Sequence, residues 1–396
     1  MTETKMKVKL TTEPLLKEII PELIHTPGPC ITLLLPPYRP GEPGEPLAAL
    51  LKTDMQEAAK RLATRRIAEP VIADLLEPLH QLSHEEESLA GSGSARVIFR
   101  SHGVFRQLEL PVPPSPARDC TVGDCFWIRP ILASLALPPH VYVLEVTKKA
   151  VTLLACGFTG VARVDLPKGT PKTLDEALGL DQPDHDLMNR SAAGPSIGAM
   201  HGVQFGTGSA RETQHAHLRD FYGAVDRGVK QLLRWNQAPL VLAGVDEDVA
   251  IYRSVSTYSK LLEQGMHGSP GAAPSGAMPP DQILRHAHDI ALFDFERRAG
   301  LELAESNERL APARFATDLD GILRAAVEGR VSVLYLDDNG RRTGNFDGKV
   351  FGGSTNWHDE DLLNVAAVET LLRSGVVYSL PSHLMTGSVA AAAFRY

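Results

Sequence analysis

The chain has 396 residues, 43% of them hydrophobic and 22% charged, which is the composition of an ordinary globular protein of two or three domains. Its formal net charge of −8 excludes a protein that coats nucleic acid over its whole surface, so any RNA contact must be local. The opening sequence MTETKMKVKLTTEP has no apolar signal segment, and no apolar run is long enough to cross a membrane. We therefore expect a cytoplasmic protein with no membrane partner; its oligomeric state stays open.

Cysteine and histidine spacing gives little support to a metal site. Of the four cysteines, only Cys120 and Cys125 are close in sequence, and no second pair completes a four-ligand zinc site. We expect reduced, partly buried thiols, with no metal and no other cofactor. His286 and His288 are two positions apart in a predicted helix, so they point to different faces and are both expected on the surface.

Proline and glycine divide the chain into three segments, because neither residue continues a helix or a central strand. The boundaries are the Pro138–Pro139 pair and the stretch from Gly268 to Pro280. The predicted domains are residues 1–138, 139–267 and 281–396.

The first segment combines helical periodicity with a hairpin around Ser101–Gly103. Its predicted elements are helices over 13–22, 47–63 and 71–82, and strands over 31–35, 95–100 and 104–110.

The second segment begins with strands over 141–146, 150–155 and 161–166. A polar, glycine-rich stretch follows from Pro167 to Ser209, too long for a plain connection, and such stretches are typical of functional loops. We expect a helix over 210–235, a buried strand over 239–244 and a second helix over 255–262. Three acids, Asp246, Glu247 and Asp248, follow the buried strand and are interpreted either as caps of the next helix or as ligands at the sheet edge.

The third segment alternates helix and strand, which is typical of a layered α/β unit. A long amphipathic helix is expected from Leu284 to Leu303, and Gly375 is predicted as the residue that ends a later helix in the left-handed conformation. The other predicted elements are helices over 319–327 and 359–373, and strands over 331–336, 376–380 and the last residues.

Several motifs of the third segment resemble one known superfamily. The stretches from Ala325 and from Asn364 each run from a helix through a glycine into a strand, and the chain ends on Phe394-Arg395-Tyr396 after Gly387. This order resembles the last domain of the archaeo-eukaryotic release factors and of Pelota. The resemblance implies a C-terminal α/β domain like the kink-turn-binding ribosomal proteins.

The second segment extends this resemblance. Gly206-Thr207-Gly208-Ser-Ala, before the long helix, is similar to the family's Gly-Gly-Gln-Ser-Ala with the glutamine replaced by Gly208. The resemblance implies a ribonuclease-H-like middle domain that carries this tip on a long loop. The first segment lacks the Asn-Ile-Lys-Ser stop-codon motif, so it is interpreted as the divergent α/β N-domain of the bacterial branch, without stop-codon reading.

In release factors the Gly-Gly-Gln tip reaches the peptidyl-transferase centre, where the glycines permit close approach and the glutamine helps to place water. Here the altered tip comprises Gly206, Thr207 and Gly208, and Gln204 is the candidate substitute for the missing amide. We predict contacts to ribosomal RNA from a basic helix face, with a solvated face and a His215–His217 metal site as alternatives. The predicted RNA-binding residues are Arg211, Arg219, Arg227, Lys230 and His215.

The leading hypothesis is a release-factor-like protein that binds the ribosome and has weak or no peptidyl-tRNA hydrolysis, acting in ribosome rescue or dormancy. Its partners would be ribosomal RNA, with tRNA as a further candidate. One alternative is an active peptidyl-tRNA ester hydrolase. Another is a protein- or ligand-binding module outside translation.

Overall fold

The computed structural model describes residues 15–38, 46–84, 94–110, 114–157, 160–179, 207–267, 278–346, 351–352, 360–385 and 387–396. The chain divides into two compact units: residues 1–139 and 291–396 form one, and residues 140–290 form the other. The first and third predicted segments thus share a unit, whereas the three domain boundaries themselves stay a prediction. Both units combine helices with sheets, and the predicted mixed α/β class is confirmed.

The N-terminal part of the first unit is an antiparallel sheet in the order β3-β2-β1-β4, covered by helices. The predicted β2–β3 hairpin is confirmed, whereas β4 gave no sequence signal. Leu33 of the central strand packs with Leu51 and Leu79 of the two covering helices in one core. The strands are β1 (Cys30–Leu35), β2 (Ala95–Arg100), β3 (Phe105–Leu110) and β4 (Asp119–Gly123). The helices are α1 (Leu15–His25), α2 (Leu47–Thr64), α3 (Glu69–His84) and α4 (Arg129–Ala136).

The C-terminal part of the first unit has a sheet in the order β10-β16-β11-β15, in which only β11 and β15 are parallel, and a small sheet in the order β13-β12-β14. Its strands are β10 (Phe315–Ala316), β11 (Val331–Asp337), β12 (Thr343–Phe346), β13 (Phe351–Gly352), β14 (Glu360–Asp361), β15 (Val376–Leu380) and β16 (Ala390–Phe394). Its helices are α9 (Leu319–Val327), α10 (Leu362–Leu372) and the 3₁₀ turns Pro312–Arg314 and Ser382–Leu384.

The prediction for the end of α10 was wrong in one detail. Ser374, with φ of 59°, takes the left-handed conformation that was assigned to Gly375. Gly375 is needed for a different reason, because a Cβ there would lie 2.5 Å from Thr370 Cγ2 and 3.0 Å from the Val331 carbonyl oxygen. The glycine therefore permits close packing where the chain enters β15.

The second unit holds a five-stranded sheet in the order β7-β6-β5-β8-β9. The first three strands form an antiparallel meander, β8 pairs in parallel with β5, and β9 pairs in parallel with β8. The strands are β5 (Val141–Val146), β6 (Val151–Cys156), β7 (Val161–Val164), β8 (Leu240–Gly244) and β9 (Met266–His267). The helices are α5 (Leu174–Leu178), α6 (Thr207–Leu233) and α7 (Asp246–Val255), and the long helix α8 (Pro280–Arg309) begins in this unit.

The helix predicted over 255–262 was wrong, because the helix in this region is α7 and ends at Val255. The three acids form its first turn, where carboxylates are favoured by the unpaired backbone N–H groups. They do not cap it, since the cap residue is Val245 without a side-chain bond. The chain after Val255 leaves the helix and hydrogen-bonds to the start of β8: the Leu240 N–H donates to the Lys260 carbonyl, and the Leu262 N–H donates to the Leu240 carbonyl.

Candidate functional site

The start of α6 extends beyond the core of the second unit. The helix begins at Thr207, and from Thr213, where its side chains are first described, the first buried residue is Leu218. Thr207 therefore lies eleven residues before this buried position, about 16 Å along the helix at 1.5 Å per residue. Thr207 and Gly208, two residues of the altered tip, are thus at the N-terminal end of α6.

The predicted tip residues fall partly within the described chain. Thr207 and Gly208 are the first two residues of α6, whereas Gln204 and Gly206 lie outside the described residues. Arg211 is in the helix, and its side chain is also outside the described part. The predicted catalytic role of the tip stays a prediction.

Contacts among three polar side chains join α6 to the carboxyl edge of the sheet. Lys148, in the β5–β6 turn, lies 2.6 Å from Glu247 of α7, measured from Nζ to Oε2. His215 Nε2 lies 3.3 Å from the other oxygen of the same carboxylate. His215, predicted as an RNA contact, therefore contacts Glu247 and holds α6 beside the sheet edge.

A buried carboxyl lies beside this cluster. Asp248 is 2% exposed, and burial raises the pKa of its carboxyl. Burial and the Asp248 charge likewise raise the pKa of the buried Tyr222 hydroxyl. Among the described residues, neither Tyr222 Oη nor Asp248 Oδ1 has a hydrogen bond of normal geometry. Asp248 was interpreted from the sequence as a helix cap or as a ligand at the sheet edge. Its burial was not predicted, because it results from the packing of α6 on α7.

Asp226 organises the opposite half of α6. It is 3% exposed, and its two carboxylate oxygens accept bonds from Ser256 Oγ at 2.6 Å and from the Thr257 N–H at 3.0 Å. Lys230 Nζ donates to Thr257 Oγ1 at 2.6 Å. This network fixes the extended chain after α7 against α6 and positions the ammonium of Lys230 at the surface.

The cations of α6 whose side chains are described lie on one side of the helix. At about 100° per residue, Arg219, Arg227 and Lys230 fall within an arc of about 80°. Arg219 and Arg227 are exposed and form no ion pair within the described part of the chain. The predicted cationic face therefore has a spatial basis, with His215 as an exception. Its RNA contacts stay a prediction.

An open groove of about 630 Å³ lies between α6 and the turn that leads into α5. Thr170, Leu178, His217, Phe221 and Arg227 contribute to its walls. His217 thus faces this groove while His215 contacts Glu247. Within the described ranges, no group of three or more His, Cys, Asp or Glu side chains is arranged to hold a metal ion.

The four cysteines and His288 are the titratable groups away from α6 that could suggest a reactive or metal-binding site. All four cysteines are free thiols, and burial raises the pKa of each to about 12, so none is an activated nucleophile. The prediction that His288 lies on the surface was wrong, whereas His286 is exposed. His288 is fully buried beside the backbone of Cys156, and burial lowers its pKa to about 4. Ala287 and Ile290 form part of the same buried face of α8.

The middle of the chain matches the model of one known protein family. Residues 140–330 match the family model described as "Bacterial archaeo-eukaryotic release factor family 3". The predicted resemblance to this family is confirmed. The match begins at β5, includes α6 and α8, and ends just before β11. No curated protein sequence matches the chain.

The fold was also compared with solved structures of release-factor-like proteins. The archaeal translation termination factor aRF1 is 12% identical, with 98% of this chain and 99% of that chain covered and a TM-score of 0.24. Pelota from Archaeoglobus fulgidus is 13% identical, with coverage of 77% and 80% and a TM-score of 0.35. Ribosome-bound archaeal Pelota is 10% identical, with coverage of 100% and 98% and a TM-score of 0.39. These superpositions are too loose to carry an argument about the site.

No helix in the described part of the chain is both long and apolar enough to cross a membrane.

Proposed function

We propose that this protein is a translation-associated factor that binds the ribosome through its second unit and presents the start of α6 to an RNA-lined cavity. The observation that carries this proposal is the position of α6: the helix begins at Thr207, residues 213–217 are exposed or partly exposed, and the first buried residue after them is Leu218. The family match over residues 140–330 supports the same reading. The cationic face of α6 would supply the phosphate contacts while the acidic remainder of the protein faces solvent.

We further propose that peptidyl-tRNA hydrolysis is weak or absent. Gly208 occupies the position at which the resemblance expects the glutamine, and a glycine has no side chain with which to orient water. Loss of one positioned partner costs about 10²-fold or more in rate. Gln204 is the only nearby amide in the tip sequence from Gly202 to Ser209. A role in ribosome rescue or dormancy follows if the factor occupies the ribosome without releasing the peptide.

The proposal is tested by sedimentation of the full-length protein with purified ribosomes, together with a peptide-release assay. We expect co-migration and little release by the wild type, and increased release by Gly208→Gln. Absence of co-migration, both with resting ribosomes and with ribosomes from stressed cells, would remove the proposal. The Gly208→Ala variant is the matched control, because it adds a side chain without the amide.

The active-hydrolase alternative makes the opposite prediction in the same assay. Strong release by the wild type that falls when Gly206 and Gly208 become alanine would establish it. The groove beside α6 is the observation that favours a ligand-binding module instead. That alternative requires ligand binding to persist without ribosomes and to be lost when Leu178→Trp fills the groove.

A further inference from the structure

Trp235, just after the end of α6, is the most exposed of the large hydrophobic side chains in the described part of the chain. It is 82% exposed, compared with 56% for Phe293 and 61% for Val245. An indole gains more from burial than almost any other side chain, so leaving it in water forgoes a large stabilisation. Such a residue is a candidate anchor for a partner.

Arg234 covers one face of this indole. The guanidinium carbon of Arg234 lies 4.2 Å from the centroid of the Trp235 ring, which is a cation–π distance. Since most of the indole is exposed, its other face remains open for stacking. One flat aromatic face bordered by a guanidinium is suited to a nucleic-acid base, because every base has a π-face and is joined to a phosphate.

The turn that carries Trp235 is held by its own hydrogen bonds. Gln237 has a φ of 48°, and its N–H donates to the Leu233 carbonyl at 3.0 Å. Gln237 Nε2 also donates to the Arg234 carbonyl at 3.1 Å. Because the backbone is fixed before a ligand arrives, stacking on Trp235 would require little further ordering.

The chain segment that carries Trp235 and a segment packed against it are basic, although the whole chain is acidic. Residues 227–244 contain Arg227, Lys230 and Arg234 and no acidic residue, and residues 249–262 contain Arg253 and Lys260 and no acidic residue. The two stretches are packed together: the Tyr258 hydroxyl donates to the Ala238 carbonyl at 2.6 Å, and the Leu240 N–H donates to the Lys260 carbonyl at 2.9 Å.

Two features favour RNA over a protein partner. The neighbours of Trp235 in the turn are the polar Asn236 and Gln237, so the turn adds no apolar surface to the indole of the kind enriched at protein interfaces. The nearest acid in sequence, Asp226, is buried and accepts bonds from Ser256 and Thr257, so it does not oppose an incoming phosphate at the surface.

We propose that Trp235 and Arg234 form a stacking platform for an unpaired RNA base, with Lys230 and Lys260 contacting the adjacent phosphates. The platform lies at the opposite end of α6 from the tip, about 40 Å away along the helix. It is therefore a second contact, separate from the N-terminal end of α6. The assignment of ribosomal RNA as the natural ligand rests on the proposed function, whereas recognition of single-stranded RNA does not.

Binding of a fluorescein-labelled 12-nucleotide single-stranded RNA to the full-length protein, followed by anisotropy, tests the platform directly. We expect Trp235→Ala to weaken binding by about 5- to 100-fold, the range for loss of one base–aromatic stack, and Trp235→Phe to retain most of the affinity. Phe293→Ala is the matched control, because it removes another exposed aromatic side chain, and its affinity should equal that of the wild type. A duplex of the same sequence should compete poorly, since its bases are already stacked.

Equal affinities of the wild type and Trp235→Ala for the single strand would overturn the inference, and so would equal competition by the duplex. Ribosome sedimentation of the same variants separates this result from the proposed function. If the wild type binds the RNA through Trp235 but does not sediment with ribosomes, the proposed function fails and the platform stands. If Trp235→Ala loses ribosomes but keeps the RNA affinity, the indole contacts a ribosomal protein and the platform is wrong.

Discussion

Arg129 and Asp361 form a buried ion pair between residues 232 positions apart in the sequence, with 2.8 Å between Nη1 and Oδ2. The two side chains are 5% and 6% exposed. The same carboxylate oxygen accepts a bond from the indole N–H of Trp127 at 3.2 Å, and Asn364 bonds to the backbone of Phe126 and Ile128. These contacts bind the N-terminal part of the first unit to its C-terminal part.

We expect Arg129→Ala to lower the free energy of unfolding by about 3–5 kcal/mol, because it leaves the Asp361 carboxylate buried without its charged partner. The double variant Arg129→Met, Asp361→Leu should recover part of that loss, because it removes the unpaired charge but leaves the Trp127 indole N–H without its acceptor. Arg309→Ala removes an exposed pair with Glu305 and should cost less than about 0.5 kcal/mol. Urea denaturation followed by tryptophan fluorescence measures all three. Equal losses for Arg129→Ala and Arg309→Ala would contradict the buried pairing.

Two glycines of α6 should respond in opposite ways to alanine. A Cβ at Gly228 would lie 2.6 Å from Cγ2 of Thr170, whereas a Cβ at Gly223 meets nothing closer than 3.9 Å. Gly228→Ala is therefore expected to destabilise the second unit by about 1–3 kcal/mol through overpacking. Gly223→Ala should stabilise it by up to about 1 kcal/mol through helix propensity.

Thermal unfolding of the two variants measures this difference, and Thr170→Gly provides the test of its cause. Combined with Gly228→Ala, it removes the side chain that the new methyl group meets. Persistence of the full destabilisation in that double variant would show that the turn before α5 is not the source.

Glu296 should make stability depend on pH. Burial, with a smaller contribution from the Asp338 charge, raises its pKa from 4.5 to about 7. The folded protein then holds the proton more tightly than the unfolded chain between these values, so stability falls as pH rises from 4.5 to about 7 and levels off above it.

We expect Glu296→Gln to flatten this part of the stability profile and to be more stable than the wild type at pH above about 7. Urea denaturation at a series of pH values is the measurement. Glu305→Gln, at an exposed position of the same helix, should leave the slope unchanged. A parallel loss of slope in both variants would rule out Glu296 as its source.

The cationic face of α6 should determine the salt dependence of RNA binding. If Arg219 and Arg227 each contact one phosphate, their replacement by alanine should weaken ribosome binding and reduce the slope of log K against log salt by about 1 per residue. Sedimentation with ribosomes at several salt concentrations measures the slope. Arg309→Ala, on α8, is the charge-matched control and should keep the wild-type slope. An unchanged slope in Arg219→Ala and Arg227→Ala would place RNA elsewhere.

Local periodicity determined most of the elements. Residues 319–327 form the helix that was predicted, and the strands that begin at Val141, Val331 and Val376 lie where alternating or continuous apolar runs placed them. Hydrophobic spacing of this kind is a property of a few neighbouring residues, so it can be read without knowledge of the rest of the chain. The stretch with Gly206 and Gly208 was recognised instead by its resemblance to a family motif and was placed in a loop before a helix at 210, whereas α6 already begins at Thr207.

Only the tertiary structure decided which polar groups are buried and what they contact. His288 has the same local sequence pattern as an exposed helix residue, yet it is buried beside Cys156. Of the three acids in the first turn of α7, only Asp248 is buried, because α6 packs over it. The pairing of Arg129 with Asp361 has no sequence signal, because it joins residues 232 positions apart in the chain. Burial of a charge is set by contacts between distant segments, and a local sequence pattern contains no information about those contacts.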